Sequence, residues 1–257
     1  MKEDLRPIVV LSAMDCECTA LSAALGAGAP EITGNFEFLE GTLDGRPVVL
    51  VKTLFGMVNA ACAVTLAIGR YQPRCVIVQG TAGAHDPALH RNDIVLGEKL
   101  VQHHFYITRR RAAGAGSCMA DWSWPGVQML RDGKFATVPS LSSDPELLEL
   151  AAATPYSGGR LVRGTIATGD VWNREVDAIR FFHEKLGTSC EEMEGFAAAQ
   201  VCAQFGVPVL VLRVISNSEL HPDEPFSREA AALGQGYTLD VLRALCAERR
   251  RCRAVES

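Results

Sequence analysis

The sequence predicts a single-domain α/β fold in which helices cover both faces of a β-sheet. Short apolar runs rich in β-branched residues alternate with longer segments of helical periodicity, as in proteins whose strands are buried on both sides. The length of 257 residues fits one large domain, and no linker, repeat or low-complexity segment divides it. We therefore interpret residues 1–257 as one domain.

The predicted strands are short apolar runs, two of which form a hairpin. Residues 36–43 alternate between apolar and polar, residues 47–52 are mostly apolar, and Asp44-Gly45 between them is typical of a hairpin turn. The predicted strands are 8–13, 36–43, 47–52, 75–80, 94–100, 161–168 and 208–215.

The predicted helices lie between these runs and carry apolar residues at helical spacing. They are 57–71, 174–186, 194–205 and 228–250. Residues 103–133 are the exception, because they show little periodicity and contain three consecutive arginines and two tryptophans. A long irregular stretch in a compact domain is often functional. The hypotheses for it are a flap, an oligomer contact or, for the arginines, a solvated surface.

Composition and charge exclude several classes of protein. Apolar residues make up 48% and charged residues 21% of the chain, which is typical of globular proteins and argues against disorder. The net charge of −5 gives no overall attraction for nucleic acid or an anionic membrane. No apolar run approaches the roughly 18 residues that span a membrane, and the first residues are too charged for a signal peptide.

Cysteine usage favours a reducing compartment. The nine cysteines are odd in number, form no CxxC and mostly lie in apolar runs, as expected of buried free thiols in the cytoplasm. Cys16 and Cys18 are spaced like metal ligands, but no second pair follows at zinc spacing. We therefore predict no metal site.

Four features of the sequence are unusual, and of the residues involved Glu17, Thr81 and Arg213 with Asn217 fall at or near the ends of predicted strands. Glu17 follows the first strand, a glycine-bearing turn at 80–83 follows another, Glu194 begins an apolar helix, and Arg213 interrupts an apolar strand. A buried arginine implies a carboxylate partner, and ligands of α/β sheets bind at the carboxyl ends of strands. One pocket explains all four features. The alternative for Glu194 is that it only caps its helix.

Residues 191–217, EEMEGFAAAQVCAQFGVPVLVLRVISN, resemble the signature of the nucleoside phosphorylase and nucleosidase superfamily, and especially of the methylthioadenosine/S-adenosylhomocysteine nucleosidases. Five earlier segments also resemble the family and occur in the family's order, at 8–21, 55–63, 79–84, 92–100 and 165–173. The resemblance implies a central mixed β-sheet flanked by helices on both faces, the nucleoside phosphorylase/hydrolase fold. It also implies a small-molecule purine nucleoside as ligand, no metal or organic cofactor, and a homodimer.

The resemblance further implies roles at the sugar. Glu194 would accept hydrogen bonds from the 2′- and 3′-hydroxyls of the ribose and stabilise the positive charge that develops there. Met193 would lie against the sugar. Glu17 would be the base that orients and deprotonates water, and Arg213 and Thr81 would complete the shell of that water.

At the base, the resemblance implies that Trp172 stacks on the purine and that backbone around Asn173 meets its edge. Met14, Phe55 and Phe226 would line the pocket for the base and the 5′ substituent. The alternative for Phe55 and Phe226 is a place in the core.

Asn217, which follows Ser216 at the end of the signature, departs from the methylthioadenosine nucleosidases. Those enzymes have an aspartate here that protonates adenine N7, whereas an amide cannot act as a general acid. An asparagine can accept from protonated N7 and donate to a 6-oxo group, as in 6-oxopurine-selective members. The futalosine hydrolases, which release hypoxanthine, have a similar ISN ending. We therefore expect 6-oxopurine nucleosides to be preferred.

Water is the expected acceptor of the sugar, because phosphate recognition usually employs arginine and neither SAMDCE nor residues 79–83 contain one. The sequence thus predicts a cytoplasmic purine nucleosidase acting on a 5′-modified nucleoside. The alternatives are a methylthioadenosine/S-adenosylhomocysteine nucleosidase acting on adenine nucleosides, a phosphorylase, or a non-catalytic nucleoside-binding or storage relative. Retention of Glu17, Arg213 and Glu194 argues against the last.

Overall fold

The computed structural model describes residues 6–131 and 133–256, and the side chains of residues 6–130 and 133–247. The strands are β1 (Ile8–Ser12), β2 (Glu31–Thr33), β3 (Phe36–Leu43), β4 (Arg46–Lys52), β5 (Cys75–Val78), β6 (Thr81–Ala84), β7 (Ile94–Gln102), β8 (Val127–Arg131), β9 (Lys134–Val138), β10 (Leu161–Thr168), β11 (Thr188–Glu192) and β12 (Val209–Asn217). The α-helices are α1 (Thr19–Ala24), α2 (Met57–Tyr71), α3 (Pro145–Ala153), α4 (Val176–Leu186), α5 (Gly195–Phe205) and α6 (Arg228–Glu256).

The main sheet is mixed, and its strands run in the order β2-β3-β4-β1-β5-β12-β6-β11-β10-β7. Strand β1 pairs in parallel with β4 and β5, while β11 pairs antiparallel with β6. Strand β7 also pairs antiparallel with β12, which closes the second half of the sheet into a ring. The predicted α/β fold with a central mixed sheet is confirmed.

Helices cover both faces of the sheet because its central strands are apolar on both sides. Val9 and Leu11 of β1 pack with α2 and α5, whereas Ile8 and Val10 pack with α1, α3 and α6. This alternation follows from the two-residue period of a strand. All nine residues of β12 are buried, including Arg213. The strand ends are thereby held rigidly, which suits a site built on them.

The sequence patterns left α1, β2, β9 and β11 unpredicted, and three further regions differ from the sequence expectations. Residues 103–133 were expected to be irregular throughout, but Val127–Arg131 forms a strand that pairs with β9 and buries Val127 and Met129. The expected turn at 80–83 is mostly strand β6. Helix α3 escaped prediction, although Asp144 accepts hydrogen bonds from the N–H groups of Glu146 and Leu147, and Asp-Pro is a recognisable helix start.

No helix among the described residues combines the length and apolar character needed to cross a membrane. The terminal helix α6 is the longest, at 29 residues. It contains both charged and apolar residues and packs against β12 and α1.

Candidate active site

The ends of β1, β6, β11 and β12 surround a cleft with a volume of about 240 Å³. Of the twelve candidate residues, all but Arg213 line it: Met14, Glu17, Phe55, Thr81, Trp172, Asn173, Met193, Glu194, Ser216, Asn217 and Phe226. Residues that are far apart in the sequence therefore meet in one pocket, as the strand-end positions predicted.

Glu17 is buried at the bottom of the cleft, with 2% of its surface exposed. Its Oε2 accepts from the backbone N–H groups of Ala13 and Met14 at 3.1 and 3.0 Å. Its Oε1 accepts from the N–H and the hydroxyl of Thr81 at 2.8 and 2.9 Å. A Cβ at Gly80 would lie 3.0 Å from Oε1, so the glycine permits this close approach. These four donors fix the carboxylate in place.

Glu194 precedes α5, but a different carboxylate caps that helix. Glu192 Oε2 accepts from the N–H groups of Glu194 and Gly195 at 3.0 and 2.7 Å. The side chain of Glu194 makes no capping bond, and its Oε1 instead accepts from the N–H of Gly56 at 2.9 Å. The interpretation of Glu194 as a mere helix cap is therefore wrong.

Arg213 lies behind the cleft rather than in it. Its Nη2 donates to Glu192 and lies 3.4 Å from Glu194 Oε2. Its Nη1 donates to the carbonyl oxygens of Val78 and Leu212 at 3.2 and 3.0 Å. The predicted carboxylate partner of this arginine exists. Its expected place in the shell of a water at Glu17 stays a prediction, because its ion pairs in the described part of the chain are with Glu192 and Glu194.

The carboxylates of Glu192 and Glu194 share this single guanidinium in a buried site. Burial and the negative charge of Glu192 raise the pKa of Glu194 to about 8, although Arg213 and the N–H of Gly56 oppose the rise. Glu194 thus holds a proton at neutral pH in the unliganded site. A ligand hydroxyl that donates to it would favour the ionised form.

This raised pKa predicts a pH dependence of stability. Glu194 ionises near pH 4.3 in the unfolded chain but near 8 in the folded protein, so the unfolded state binds fewer protons in between. The contribution of Glu194 to the free energy of unfolding is complete below about pH 4.3 and is lost as the pH rises towards 8. We expect Glu194→Gln, which stays neutral, to flatten the fall of the free energy of unfolding over this range.

Urea unfolding of both proteins between pH 5 and pH 9 measures this difference. Glu184→Gln, a change at an exposed residue of α4, is the matched control and should leave the slope unchanged. Equal slopes for the wild type and Glu194→Gln would contradict the prediction.

The aromatic residues form the mouth of the cleft. Phe55 and Trp172 are 62% and 64% exposed, and the Trp172 ring centroid lies 5.9 Å from that of the half-buried Phe226. The alternative that Phe55 and Phe226 are plain core residues is wrong for Phe55. Phe226 also borders the cleft.

Asn217 ends β12 beside Gly83 of β6. It is 9% exposed, and its Oδ1 accepts from the hydroxyl of Ser216 at 2.9 Å. Within residues 6–130 and 133–247, no acceptor is bonded to its Nδ2. The amide therefore presents donors to the cleft and retains one lone pair on Oδ1.

Sequence reasoning missed Glu191 and Glu192, which also line the cleft. The signal was the run Glu191-Glu192-Met193-Glu194, from which only the last two residues were selected. The alternation of buried and exposed side chains along a strand could not indicate which of these two carboxylates belongs to the site, because both are buried.

A family model described as the phosphorylase superfamily matches residues 7–243. The chain belongs to this superfamily. It is 32% identical over 215 residues to a 5′-methylthioadenosine/S-adenosylhomocysteine nucleosidase of Geobacillus kaustophilus, covering 81% of this chain and 83% of the relative. It is 31% identical over 248 residues to the nucleosidase of the same name from Bacillus licheniformis, covering 92% and 98%.

Solved structures of superfamily members have the same fold. The 5′-methylthioadenosine/S-adenosylhomocysteine nucleosidase of Neisseria meningitidis, in complex with methylthio-immucillin-A, has a TM-score of 0.77 and 25% identity, covering 93% of this chain and all of the other. The futalosine hydrolase of Helicobacter pylori has a TM-score of 0.75 and 22% identity, covering 93% and 98%. The matched relatives are named as nucleosidases. This superfamily member is likewise a nucleosidase, an enzyme that hydrolyses N-glycosidic bonds.

Proposed function

We propose that this nucleosidase hydrolyses 5′-modified purine nucleosides and prefers a 6-oxopurine base. In this proposal Glu194 binds the ribose hydroxyls, Met193 packs on the sugar, Glu17 activates water, and Trp172 stacks on the base. Met14, Phe55 and Phe226 surround the base and the 5′ group. The observation that carries the base preference is Asn217, a buried amide where an acid is needed to protonate adenine N7.

The contacts of Asn217 support a 6-oxopurine ligand. Its Nδ2 donates to O6 in the proposed complex, and the remaining lone pair of Oδ1 accepts from N7–H, while Ser216 holds the amide in this orientation. Adenine would present its amino group to the same Nδ2, donor against donor. Such a buried mismatch costs about 1–3 kcal/mol.

The charges in the cleft support water rather than phosphate as the acceptor. Among the described residues that line it, no arginine or lysine occurs, whereas Glu17, Glu191, Glu192 and Glu194 do. Phosphate binding usually requires cationic donors. A phosphorylase is therefore the weaker candidate. In this proposal Arg213 neutralises the carboxylates of Glu192 and Glu194 behind the ribose site and acts as a positioning residue.

A second candidate is hydrolysis of methylthioadenosine or S-adenosylhomocysteine. The names of the Geobacillus and Bacillus relatives favour it, whereas the fold is common to the methylthioadenosine nucleosidase and futalosine hydrolase structures and favours neither candidate. The two candidates share the ribose and water sites and differ in the base. One substitution distinguishes them.

Asn217→Asp is expected to reverse the base preference. The wild type should cleave the 6-oxo nucleoside faster than the matching 6-amino nucleoside by roughly 5- to 150-fold in kcat/KM, which corresponds to the mismatch above. The aspartate supplies the missing acid for adenine. The measurement is kcat/KM for inosine and adenosine derivatives that share one 5′ group, on both proteins and without phosphate.

Ser216→Ala serves as the matched control, because it removes the hydroxyl on Asn217 Oδ1 and leaves the amide in place. The preference of Ser216→Ala for the 6-oxo nucleoside over the 6-amino nucleoside should weaken without reversing. Faster adenine release by the wild type would contradict the 6-oxopurine preference and favour the second candidate.

We also propose a cytoplasmic homodimer, as the family resemblance implies. Several large apolar side chains of residues 105–135 are exposed in the single chain, namely Phe105, Ile107, Leu130 and Phe135. Leu130 and Phe135 are cross-strand neighbours, and adjacent exposed apolar side chains are typical of an interaction surface. Light scattering after size exclusion tests the dimer.

A further inference from the structure

Glu191 is a buried carboxylate of the cleft to which the proposed mechanism gives no role. It is 8% exposed and lies on β11 opposite Gly83 of β6, the same glycine that pairs with Asn217 of β12. Two strand spacings of about 5 Å each separate the two backbones. Glu191 and Asn217 thus line one cleft from the two strands that flank β6.

Two buried histidines hold the Glu191 carboxylate from behind. His85 Nε2 and His103 Nε2 lie 3.2 and 3.1 Å from Glu191 Oε2. His103 Nδ1 lies 3.0 Å from the carbonyl oxygen of Thr168, which only accepts, so Nδ1 carries a hydrogen, and donation from Nε2 to Glu191 as well requires the imidazolium form. Burial would raise the pKa of Glu191, but the two imidazoles outweigh it and hold the pKa at about 2. Glu191 is therefore an anion.

The other oxygen of Glu191 occupies a backbone donor of the cleft. Oε1 accepts from the N–H of Asn173 at 3.0 Å. The backbone of Asn173 is the segment expected to meet the edge of the base, and its N–H is no longer free to donate to a ring nitrogen. What this edge of the cleft presents instead is a carboxylate oxygen with one lone pair left.

We infer that Glu191 is a specificity-determining residue that accepts the N1–H of a 6-oxopurine. The inference rests on the proposed function, in which Asn217 contacts O6 and N7, because N1 is the next ring position along that edge. A 6-oxopurine carries a hydrogen on N1, whereas N1 of adenine carries a lone pair. A fixed carboxylate attracts the first and repels the second.

The test compares inosine with 1-methylinosine, each with the same 5′ group, on the full-length protein. Methylation removes the N1–H and leaves O6 and N7 unchanged. We expect wild-type kcat/KM to fall by at least about tenfold with the methylated base. Glu191→Ala should reduce this ratio to within about threefold, because the partner of N1–H and the obstacle to the methyl group disappear together.

Glu191→Gln, of equal size, is the matched control for space. Its amide N–H can donate to N1 of adenine, so kcat/KM for adenosine should rise relative to that for inosine. Circular dichroism establishes that both variants fold, and the wild-type comparison stands alone if they do not.

The possible failures are distinguishable. If the wild type prefers inosine to adenosine but cleaves 1-methylinosine equally well, the inference about Glu191 is overturned and the proposed function stands. An unchanged ratio in folded Glu191→Ala overturns it too. If the wild type prefers adenosine, the proposed base preference itself fails.

Discussion

Glu17→Gln is expected to lower kcat by about 10²- to 10⁴-fold with little change in KM, because a positioned general base contributes this much. The carboxylate is held by four hydrogen bonds from Ala13, Met14 and Thr81. Glutamine retains the shape but has one acceptor oxygen instead of two. Steady-state hydrolysis of the best nucleoside substrate, followed by release of the free base, measures the effect.

Thr81→Val is the matched control for Glu17→Gln. It removes only the hydroxyl bond of 2.9 Å and keeps the carboxylate and the backbone donor. The expected loss in kcat is about tenfold, since one hydrogen bond to a charged group is lost. A strict requirement of the wild type for phosphate would refute the assignment of Glu17 as the base for water.

Glu194→Ala is expected to reduce activity on ribosides by on the order of 10³-fold or more, below ordinary detection. The substitution removes the proposed acceptor of both ribose hydroxyls and the charge that stabilises the developing cation. Helix α5 should survive, because Glu192 caps it. The readouts are kcat/KM for a riboside and helical content by circular dichroism.

The matched control for Glu194→Ala is Glu192→Gln, which weakens the cap of α5 and the ion pair with Arg213. This variant should lose more thermal stability than Glu194→Ala. Near-wild-type kcat/KM in Glu194→Ala, together with loss of helix, would show that the residue serves the fold and not the ribose.

The strands and most helices could be predicted because burial on two faces leaves a direct pattern in the chain. The runs of β1 and β12 are apolar at every position except Ser12, Arg213, Ser216 and Asn217. Short elements left weaker patterns: β11 reads TSCEE, with more polar than apolar residues, although it is buried. Its burial depends on partners such as His85, His103 and Arg213 that are distant in sequence.

Most residues that line the candidate site could be predicted from the sequence, but the hydrogen bonds and ion pairs among them could not. Polar residues at strand ends indicate a shared pocket, yet several carboxylates compete for each donor. Only coordinates show that Glu192, and not Glu194, caps α5. Likewise, a carboxylate partner for Arg213 was correctly expected. Which of Glu17, Glu192 and Glu194 pairs with it depends on the positions of the side chains in the folded protein, and the spacing of these residues in the sequence does not determine those positions.

The difference in exposure within the cleft has an evolutionary consequence. Glu17 and Asn217 are fixed in the interior, whereas Phe55 and Trp172 project from the rim. Substitutions at the rim cost little stability, since exposed positions tolerate change. Under the proposed function Phe55 borders the 5′ group, so a change in that group costs little stability, whereas a change of base falls on the buried Asn217. Substrate diversity among descendants of this enzyme should accumulate first at the 5′ end.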